Sequence, residues 1–301
     1  MTTSTEDTTR RATYEPFSNE PIYVEANRGF VKRQDLSKVA RFLDLACGTG
    51  TVSALLLDAA AAAHLNGIDL DPQQIALASE RFRALGYEVR GGLALTSDRA
   101  HDRPVVTFHA GSADALPFPD GTFDCVTIAN AIHLMPDKGR FLEGVARVLR
   151  PGGRFGFNSA FYAGSMPKGT DRIYMDWLRL ASADLERLSR ERVAEGRPPI
   201  LRRRGTTGGA FKARWLSPAE WSGLLETAGL TTIDSHERVV PLDARCLALV
   251  GGYGGMAEVL LTGYPPEEAA GALERTAAQA MDLSQAATVP RNYLEIWAVK
   301  R

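Results

Sequence analysis

The chain has 301 residues, of which 45% are hydrophobic and 24% charged, so it can build a large packed core. Its 35 basic and 36 acidic residues nearly cancel, so no overall charge favours nucleic acid or an anionic membrane. Three widely spaced cysteines without a CxxC pair disfavour a disulfide framework and a zinc site, and predict a reducing compartment. The N-terminus has no signal-peptide pattern and no apolar run is long enough to span a membrane, so we expect a soluble cytoplasmic protein.

From residue 41, short apolar segments alternate with amphipathic segments, which is typical of a parallel sheet with helices on both faces. RFLDLA and HLNGIDL are predicted as the first two strands, with an alanine-rich helix between them. Asp71 and Pro72 supply an N-cap and a first helical residue, and Gly86 ends the helix that they begin. This alternation predicts a Rossmann-like α/β fold.

The next stretch, EVRGGLALTSDRAHDRP, is polar and long for a loop between a helix and a strand, so we expect an exposed insertion there. The sheet resumes with VVTFHA, FDCVTIAN and GRFGFNSA, and later with TTIDSHERVV and NYLEIWAVK. The sequence therefore predicts a mostly parallel sheet of seven strands.

The alternation is interrupted twice after residue 160. Ser217, Pro218 and Glu220 form a capping box that begins the core helix between the two interruptions. Both interruptions follow strands of one sheet, so both can cover the same edge of it, where open α/β sheets bind ligands. The predicted organisation is a lid segment at 1–40, a core at 41–160, 216–240 and 289–301, and helical cap insertions at 161–215 and 241–288.

Two glycines, Gly48 and Gly50, follow the first predicted strand in FLDLACGTGTVS. Glycine lets the backbone approach a ligand, and the following helix offers free N–H groups. The same pair can also be a tight turn without a ligand. A dinucleotide site requires a third glycine, and Ser53 stands there instead, although Asp69 could bind a ribose. A nicotinamide-dependent oxidoreductase is therefore kept as an alternative.

Four ordered segments resemble motifs of the class I S-adenosylmethionine-dependent methyltransferases, in particular the small-molecule branch: LDLACGTG, GIDLDPQQIALA, ALPFPDGTFDCVTIANAIHLM and LRPGGRFGF. The resemblance extends over about residues 40–160 and 217–235. It implies S-adenosylmethionine as cofactor and in-line methyl transfer to an oxygen, carbon or nitrogen of a small molecule. The further alternative is a protein of this fold that binds the cofactor without methylating, as a cyclase or a binding protein.

The resemblance also assigns roles to residues. Asp69 would accept both ribose hydroxyls, because one carboxylate can bind a diol through two charge-assisted hydrogen bonds. Leu70 would lie against the adenine, and Gln74 would reach the nucleoside. The loop around the cofactor would be formed by Asp44, Ala46, Gly48 and Gly50.

The adenine side departs from the family pattern. Where the pattern GDAxxLPF has an aspartate that accepts from the adenine amino group, this chain has Ser112. The serine hydroxyl can accept without a charge, or Asp114 takes over this contact, and the backbone N–H of Ala113 is a further expected contact. Asn130 would flank the methionine part. The prolines of the D/N-P-P-Y/F motif are absent after Asn130, which disfavours methylation of an exocyclic base nitrogen.

Methyl transfer requires alignment of nucleophile, methyl group and sulfur, and an acidic nucleophile must also lose a proton. His133 follows the fourth predicted strand by a few residues and is the predicted general base, although a structural role fits the same position. His236 is the second choice, and His109 is assigned to packing or to the adenine side. No metal site is expected.

Three further groups have two interpretations each. Aromatic residues near the N-terminus either close over a sulfonium or pack as a helix face: Tyr14, Phe17, Tyr23 and Phe30. Apolar residues of the insertions either line a substrate pocket or form the core of the cap: Trp177, Phe211, Tyr253, Met256 and Tyr264. The basic stretch 202–214 is either solvated or a flap that contacts an anionic group of the substrate. The oligomeric state stays open.

Overall fold

A computed structural model describes residues 15–60, 63–92, 104–203 and 214–301. The chain divides into two compact units. The first, here called the helical unit, comprises Met1–Tyr23, Met166–Arg214 and Val239–Asn292. The second, called the sheet unit, comprises Val24–Ser165, Trp215–Arg238 and Tyr293–Arg301. The predicted covering of the sheet edge by the insertions stays a prediction.

The strands within the described residues form one sheet in the order β3-β4-β2-β1-β5-β6-β8-β7. Strands β1 to β6 pair in parallel, and β8 runs antiparallel to β6. Their bounds are β1 Arg41–Leu45, β2 His64–Asp69, β3 Glu88–Gly91, β4 Val105–Ala110, β5 Phe123–Ala129, β6 Leu149–Ser159, β7 Leu230–Leu242 and β8 Val289–Lys300. The mostly parallel α/β fold is therefore confirmed.

The predicted strand number of seven was wrong, because the described sheet has eight strands. The additional strand, β3, lies at the start of the stretch that we expected to be an exposed insertion. It is an edge strand of four residues, none of them buried, so it lacks the apolar alternation that marks a strand in the sequence. Residues 93–103 of the same stretch lie outside the described residues.

The helices are α1 Glu15–Ser18, α2 Pro21–Val31, α3 Thr51–Ala59, α4 Pro72–Ala84, α5 Lys138–Val148, α6 Asp171–Ala194, α7 Pro218–Thr227, α8 Ala244–Gly252, α9 Gly254–Leu260 and α10 Pro266–Leu283. A short 3₁₀ turn spans Ile132–Leu134. The predicted caps are confirmed: the Asp71 side chain accepts from the backbone N–H of Gln73, and Ser217 and Glu220 form the capping box of α7. No helix in the described part of the chain has an apolar stretch long enough to cross a bilayer.

The sheet unit has a hydrophobic core on each face of the sheet. Alternate residues of β1 belong to different cores: Phe42 packs with Leu65 and Val106, whereas Leu43 packs with Val126 and Phe155. Strands buried on both faces appear in a sequence as continuous apolar runs, which is why these segments could be recognised.

The helical unit has a core of its own around Trp177 of α6, which is 1% exposed. The Trp177 indole N–H donates to the carbonyl oxygen of Leu273 in α10 at 2.8 Å. Met256 is also buried. For Trp177, the structure therefore favours the core interpretation over the pocket interpretation, while Phe211 lies outside the described residues.

The N-terminal aromatic residues are buried where they are described. Phe30 of α2 stacks on Trp297 of β8 with ring centroids 4.9 Å apart, and the Trp297 indole donates to the Phe30 carbonyl oxygen. Phe17 packs edge-on against Tyr23 at 5.4 Å. Phe30 therefore packs as a helix face, as one of the two interpretations expected, while Tyr14 lies outside the described residues.

Candidate functional site

Strand β1 has β2 on one side and β5 on the other, so chain connections leave it in both directions along the sheet. In open α/β sheets ligands bind at such a switch point, in the crevice beyond the carboxyl ends of the strands. We call the carboxyl ends of β1, β2, β4 and β5, with the loops that follow them, the carboxyl edge. The predicted cofactor residues all lie at this edge or on the elements that follow it.

The loop after β1 is tightly folded. Ala46, Gly48 and Gly50 all have positive φ angles, of 51°, 54° and 80°. The backbone N–H of Cys47 donates to the Ile68 carbonyl oxygen, which holds the loop against β2, and the N–H of Gly50 donates to the Cys47 carbonyl oxygen. Helix α3 begins directly afterwards, so its free N–H groups lie beside this loop.

Gly50 has a steric as well as a conformational requirement, since a Cβ atom there would lie 2.6 Å from Cε2 of buried Phe82. We expect Gly50→Ala to destabilise the fold by about 2–4 kcal/mol, from backbone strain and overpacking together. Gly86→Ala is the matched control, because Gly86 has a φ of 86° but no atom within 4 Å of the added carbon. Urea unfolding of both variants measures the two losses of stability. Equal losses would contradict the steric requirement, because they would mean that the Phe82 ring moves aside without a loss of stability.

Asp69 ends β2 and connects two turns of the carboxyl edge. Its Oδ2 accepts from the backbone N–H of Gly48 at 2.8 Å, and its Oδ1 accepts from the backbone N–H of Asp71 at 3.0 Å. Burial is the main cause that raises the pKa of this carboxyl group above its usual value. These two bonds hold the glycine loop in place. Each carboxylate oxygen keeps a second lone pair, so Asp69 can accept further donors.

Asp44 of β1 is buried and accepts two hydroxyl hydrogen bonds. Ser53 of α3 donates to its Oδ2 at 2.6 Å, and Thr127 of β5 donates to its Oδ1 at 3.0 Å. Asp44 therefore ties the helix after the glycine loop to the neighbouring strand. Burial raises its pKa to about 6 despite these hydrogen bonds, with a smaller contribution from the charge of Asp69.

The raised pKa of Asp44 makes stability depend on pH. The native state holds this proton more tightly than the unfolded chain, in which the carboxyl pKa is 3.8. The protonated carboxyl therefore contributes to the free energy of unfolding in full below pH 3.8, and this contribution is lost as pH rises through about 6. Asparagine does not titrate, so the free energy of unfolding of Asp44→Asn, taken relative to that of the wild type, is expected to rise by about 1–3 kcal/mol from pH 4 to pH 7.5. Urea unfolding at both pH values measures the gain; a constant difference would contradict the assignment.

The adenine-side residues differ in what they offer. Leu70 follows Asp69 and is 72% exposed, so an apolar side chain is available at the carboxyl edge. Ala113 is buried, and the Ser112 hydroxyl oxygen already accepts from the backbone N–H of Asp114 at 3.2 Å. Gln74 of α4 faces the glycine loop, with its Oε1 3.8 Å from where a Cβ of Gly48 would lie.

Asn130 directly follows β5 and has a positive φ of 51°. Its backbone N–H donates to the Asn158 side-chain Oδ1 at 3.0 Å, and its own Oδ1 accepts from the backbone N–H of Ala160 at 3.2 Å. Asn158 in turn donates to the side chain of Asn27 in α2 at 2.8 Å. The end of β5 is thereby fixed to β6 and to the N-terminal helix.

His133 lies in the 3₁₀ turn after β5 and is buried, with 7% of its surface exposed. Its Nδ1 is 3.4 Å from the Ser159 Oγ, and its ring packs on Phe161 with centroids 4.0 Å apart. The backbone N–H of Phe161 donates to the same Oγ, so Ser159 is itself held in place. The imidazole thus has a fixed position at the end of β5.

Three buried polar side-chain atoms near these loops have no hydrogen-bond partner among the described residues. They are Thr49 Oγ1 in the loop after β1, Asp114 Oδ1 after β4 and Asn130 Nδ2 after β5. An unpaired buried polar atom costs about 1–3 kcal/mol, so such atoms usually mark a missing partner. A ligand with both donors and acceptors, bound along the carboxyl edge, would satisfy them.

Sequence comparisons agree with this geometry. Residues 43–157 match the profile of a family described as Methyltransferase domain. The chain is 40% identical over 114 residues to a demethylmenaquinone methyltransferase of Thermus thermophilus, which covers 38% of this chain and 44% of the relative. It is 36% identical over 143 residues to a ubiquinone/menaquinone biosynthesis C-methyltransferase of Methylobacterium nodulans, covering 47% and 50%. The similarity therefore identifies a methyltransferase domain in residues 43–157.

The sequence similarity is restricted to this domain, and the chain spans about half the length of the curated relatives that it matches. A third relative is the 27-O-demethylrifamycin SV methyltransferase of Amycolatopsis mediterranei, 35% identical over 114 residues, 38% of this chain and 36% of that protein. The matched residues 43–157 belong to the sheet unit, and the helical unit lies outside them.

Solved structures share the α/β fold of this chain. The YcgJ protein of Bacillus subtilis has a TM-score of 0.53 at 18% identity, over 92% of this chain and 99% of that chain. The [4+2]-cyclase SpnF has a TM-score of 0.52 at 21% identity, over 92% and 81%. At these identities the similarity shows the fold alone.

Several site residues were not found from the sequence. Thr49 and Thr127 lie within recognised motifs but were not singled out, and Asn158 and Ser159 end β6 in the segment GRFGFNSA. A polar residue at the carboxyl end of a buried strand is a signal that could have identified Asn158 and Ser159. Asn27 has no such signal, because it lies in helix α2, which precedes all four motifs in the sequence.

The two other candidate histidines lie in different places. His109 is the penultimate residue of β4, at the carboxyl edge beside the end of β2, whereas His236 is on β7, at the end of the sheet order away from β1. Within the basic stretch, Arg202 donates to the Thr262 carbonyl oxygen and lies over the Tyr264 ring at 5.6 Å, so it has partners in the helical unit. Residues 204–213 lie outside the described part of the chain.

Proposed function

We propose that the protein binds S-adenosylmethionine at the carboxyl edge and transfers its methyl group to a small-molecule acceptor. The observation that carries the proposal is the set of unpartnered buried atoms of Thr49, Asp114 and Asn130, which lie in the segments that follow three strands at the carboxyl edge. The methyltransferase domain and the names of its relatives support the same ligand.

The residues present fit this cofactor. Asp69 would accept the two ribose hydroxyls while it continues to hold the loop through the N–H of Gly48. Leu70 would cover the adenine, with Gln74 nearby. The adenine amino group would be taken by Ser112 or Asp114, beside the N–H of Ala113, and the unpartnered Oδ1 favours Asp114.

The methionine part would lie near the glycine loop, on the side of β1 that faces β5. Asp44, with its carboxylate in the anionic form, would favour the ammonium group electrostatically through the folded loop of Ala46, Gly48 and Gly50. Asn130 would flank the same part of the cofactor from β5. When bound, S-adenosylmethionine supplies an activated methyl group for in-line displacement, and the chain aligns the acceptor with it.

His133 would act as the general base for an acceptor that must lose a proton. The ring is held between the Ser159 hydroxyl and Phe161, so its position at the end of β5 is fixed before substrate binds. A fixed imidazole can take a proton without first reorganising.

The acceptor is proposed only as a small molecule with an oxygen, carbon or nitrogen nucleophile. The matched relatives include a C-methyltransferase and a protein whose name gives an O-demethylated substrate, so they do not agree on the atom.

Turnover tests the proposal. The purified protein is incubated with S-adenosylmethionine and a panel of small phenols, quinols, enols and amines, and S-adenosylhomocysteine is measured by mass spectrometry. We expect acceptor-dependent release of S-adenosylhomocysteine with one acceptor class, and no oxidation or reduction of NAD(H). Cofactor binding without release across all acceptors would favour the non-methylating cyclase or binding protein instead, and NAD(H) turnover would favour the oxidoreductase.

A further inference from the structure

We infer that Asn130 donates a hydrogen bond from its side-chain amide to the carboxylate of the bound cofactor, and that Asn158 and Asn27 are positioning residues for this contact. The inference rests on the proposed function and assigns a specific atom pair within it. Its basis is the chain of hydrogen bonds that joins α2, β6 and the end of β5: the Asn158 amide donates to the Asn27 Oδ1 and accepts from the backbone N–H of Asn130.

The orientation of the Asn130 amide is fixed by its surroundings. Its oxygen accepts from the backbone N–H of Ala160, and a nitrogen in that place would oppose one donor with another. The Nδ2 group is therefore assigned to the opposite position, where it is buried and has no partner among the described residues. Its hydrogens point to a place where an acceptor is required.

The backbone of Asn130 is equally constrained. Its φ of 51° is uncommon for any residue other than glycine, although asparagine tolerates it best, and it costs free energy to maintain. The carbonyl oxygen and the side-chain Oδ1 of Asn158 both accept from the Asn130 N–H at 3.0 Å, which stabilises this conformation. Asn158 is held in turn by Asn27, and both are completely buried.

The position of the amide selects the part of the ligand. Asp69, the ribose acceptor, lies on the β2 side of β1, and Asn130 lies on the β5 side. A ligand that crosses the switch point with its ribose at Asp69 therefore brings its opposite end to Asn130. At that end of S-adenosylmethionine the ammonium is a donor and the methyl group is neither donor nor acceptor, so the carboxylate is the group that can accept from Nδ2.

Two ligands and one substitution test the inference. Asn130→Asp keeps an oxygen for the Ala160 N–H and tolerates the positive φ, but replaces the donor with a second carboxylate oxygen. The probes are S-adenosylhomocysteine and S-adenosyl-3-thiopropylamine, which keeps the amine and lacks the carboxylate. We expect titration calorimetry to show at least about a tenfold loss of affinity for the first compound, with equal or higher affinity for the second.

The positioning residues give a second readout. Asn27→Ala removes the acceptor of the Asn158 amide, and we expect a smaller loss, about threefold to fivefold, again only for the compound with the carboxylate. Glu25→Ala in the same helix is the matched control, since Glu25 is an exposed residue paired with Arg28, and should leave both affinities unchanged.

The outcomes are distinguishable. Equal losses for both compounds in Asn130→Asp would assign Asn130 to the folding of the loop and overturn the inference. Unchanged binding of both compounds would also overturn it, and would direct the search for the acceptor oxygen to the methylated substrate. In either case, wild-type binding of S-adenosylhomocysteine would leave the proposed function standing, whereas failure of the wild type to bind that compound would remove the proposed function itself.

Discussion

Replacing His133 with asparagine is expected to lower kcat by about 100-fold or more, because general-base catalysis typically contributes that much. The asparagine side-chain nitrogen can take the place of Nδ1 and keep the contact with Ser159, but it cannot accept a proton from the substrate. Affinity for S-adenosylhomocysteine should stay within a few-fold of the wild type. Steady-state kinetics with the identified acceptor and calorimetry with S-adenosylhomocysteine measure the two quantities.

Two controls separate catalysis from packing at His133. His133→Phe keeps a ring against Phe161 and removes both nitrogens, so it should lose as much activity as the asparagine variant. Unchanged kcat in either variant would make His133 structural. A larger loss in His236→Asn would move the base to the second candidate.

Replacing Asp69 with asparagine is expected to weaken the binding of S-adenosylhomocysteine by about 100-fold, since two charge-assisted hydrogen bonds to the ribose are each worth about 1.5–3 kcal/mol. The substitution also leaves one oxygen for two backbone donors, the N–H groups of Gly48 and Asp71. The glycine loop should therefore loosen together with the loss of the ribose contact.

Asp71→Asn is the matched control for Asp69. It removes one negative charge two residues away, keeps an oxygen for the N–H of Gln73 at the helix cap, and keeps its own backbone N–H for Asp69. Calorimetry should show affinity within about threefold of the wild type for this control, as expected for an exposed charge. Equal effects of the two variants would mean that charge at this turn, rather than the Asp69 contact, determines binding.

The fold of the sheet unit was predictable where strands are buried on both faces. β1, β4 and β5 have mostly apolar sequences, RFLDL, VVTFHA and FDCVTIA. The caps at Asp71 and Ser217 mark helix starts by hydrogen bonds that are local in sequence. β3 could not be found in this way, because this short edge strand pairs with β4 through its backbone and none of its side chains is fully buried.

The site was predictable to the extent that it is built from local sequence. The glycine loop and Asp69 could be recognised within two short motifs, and the structure joins them by a hydrogen bond. The partners of Asn130 could not, because Asn27 lies 131 residues from Asn158 in sequence and the contact depends on how α2 packs. The buried unpaired atom of Asp114 was likewise invisible, since burial of one oxygen is a property of the folded loop.

The direct test of the central claim is calorimetric titration of the wild-type protein with S-adenosylhomocysteine and, in parallel, with NAD(H). We expect one-site binding of S-adenosylhomocysteine in the micromolar range, about −8 kcal/mol, and no heat with NAD(H). Absence of binding to S-adenosylhomocysteine and S-adenosylmethionine, or tighter binding of NAD(H), would contradict a cofactor site for S-adenosylmethionine at the carboxyl edge.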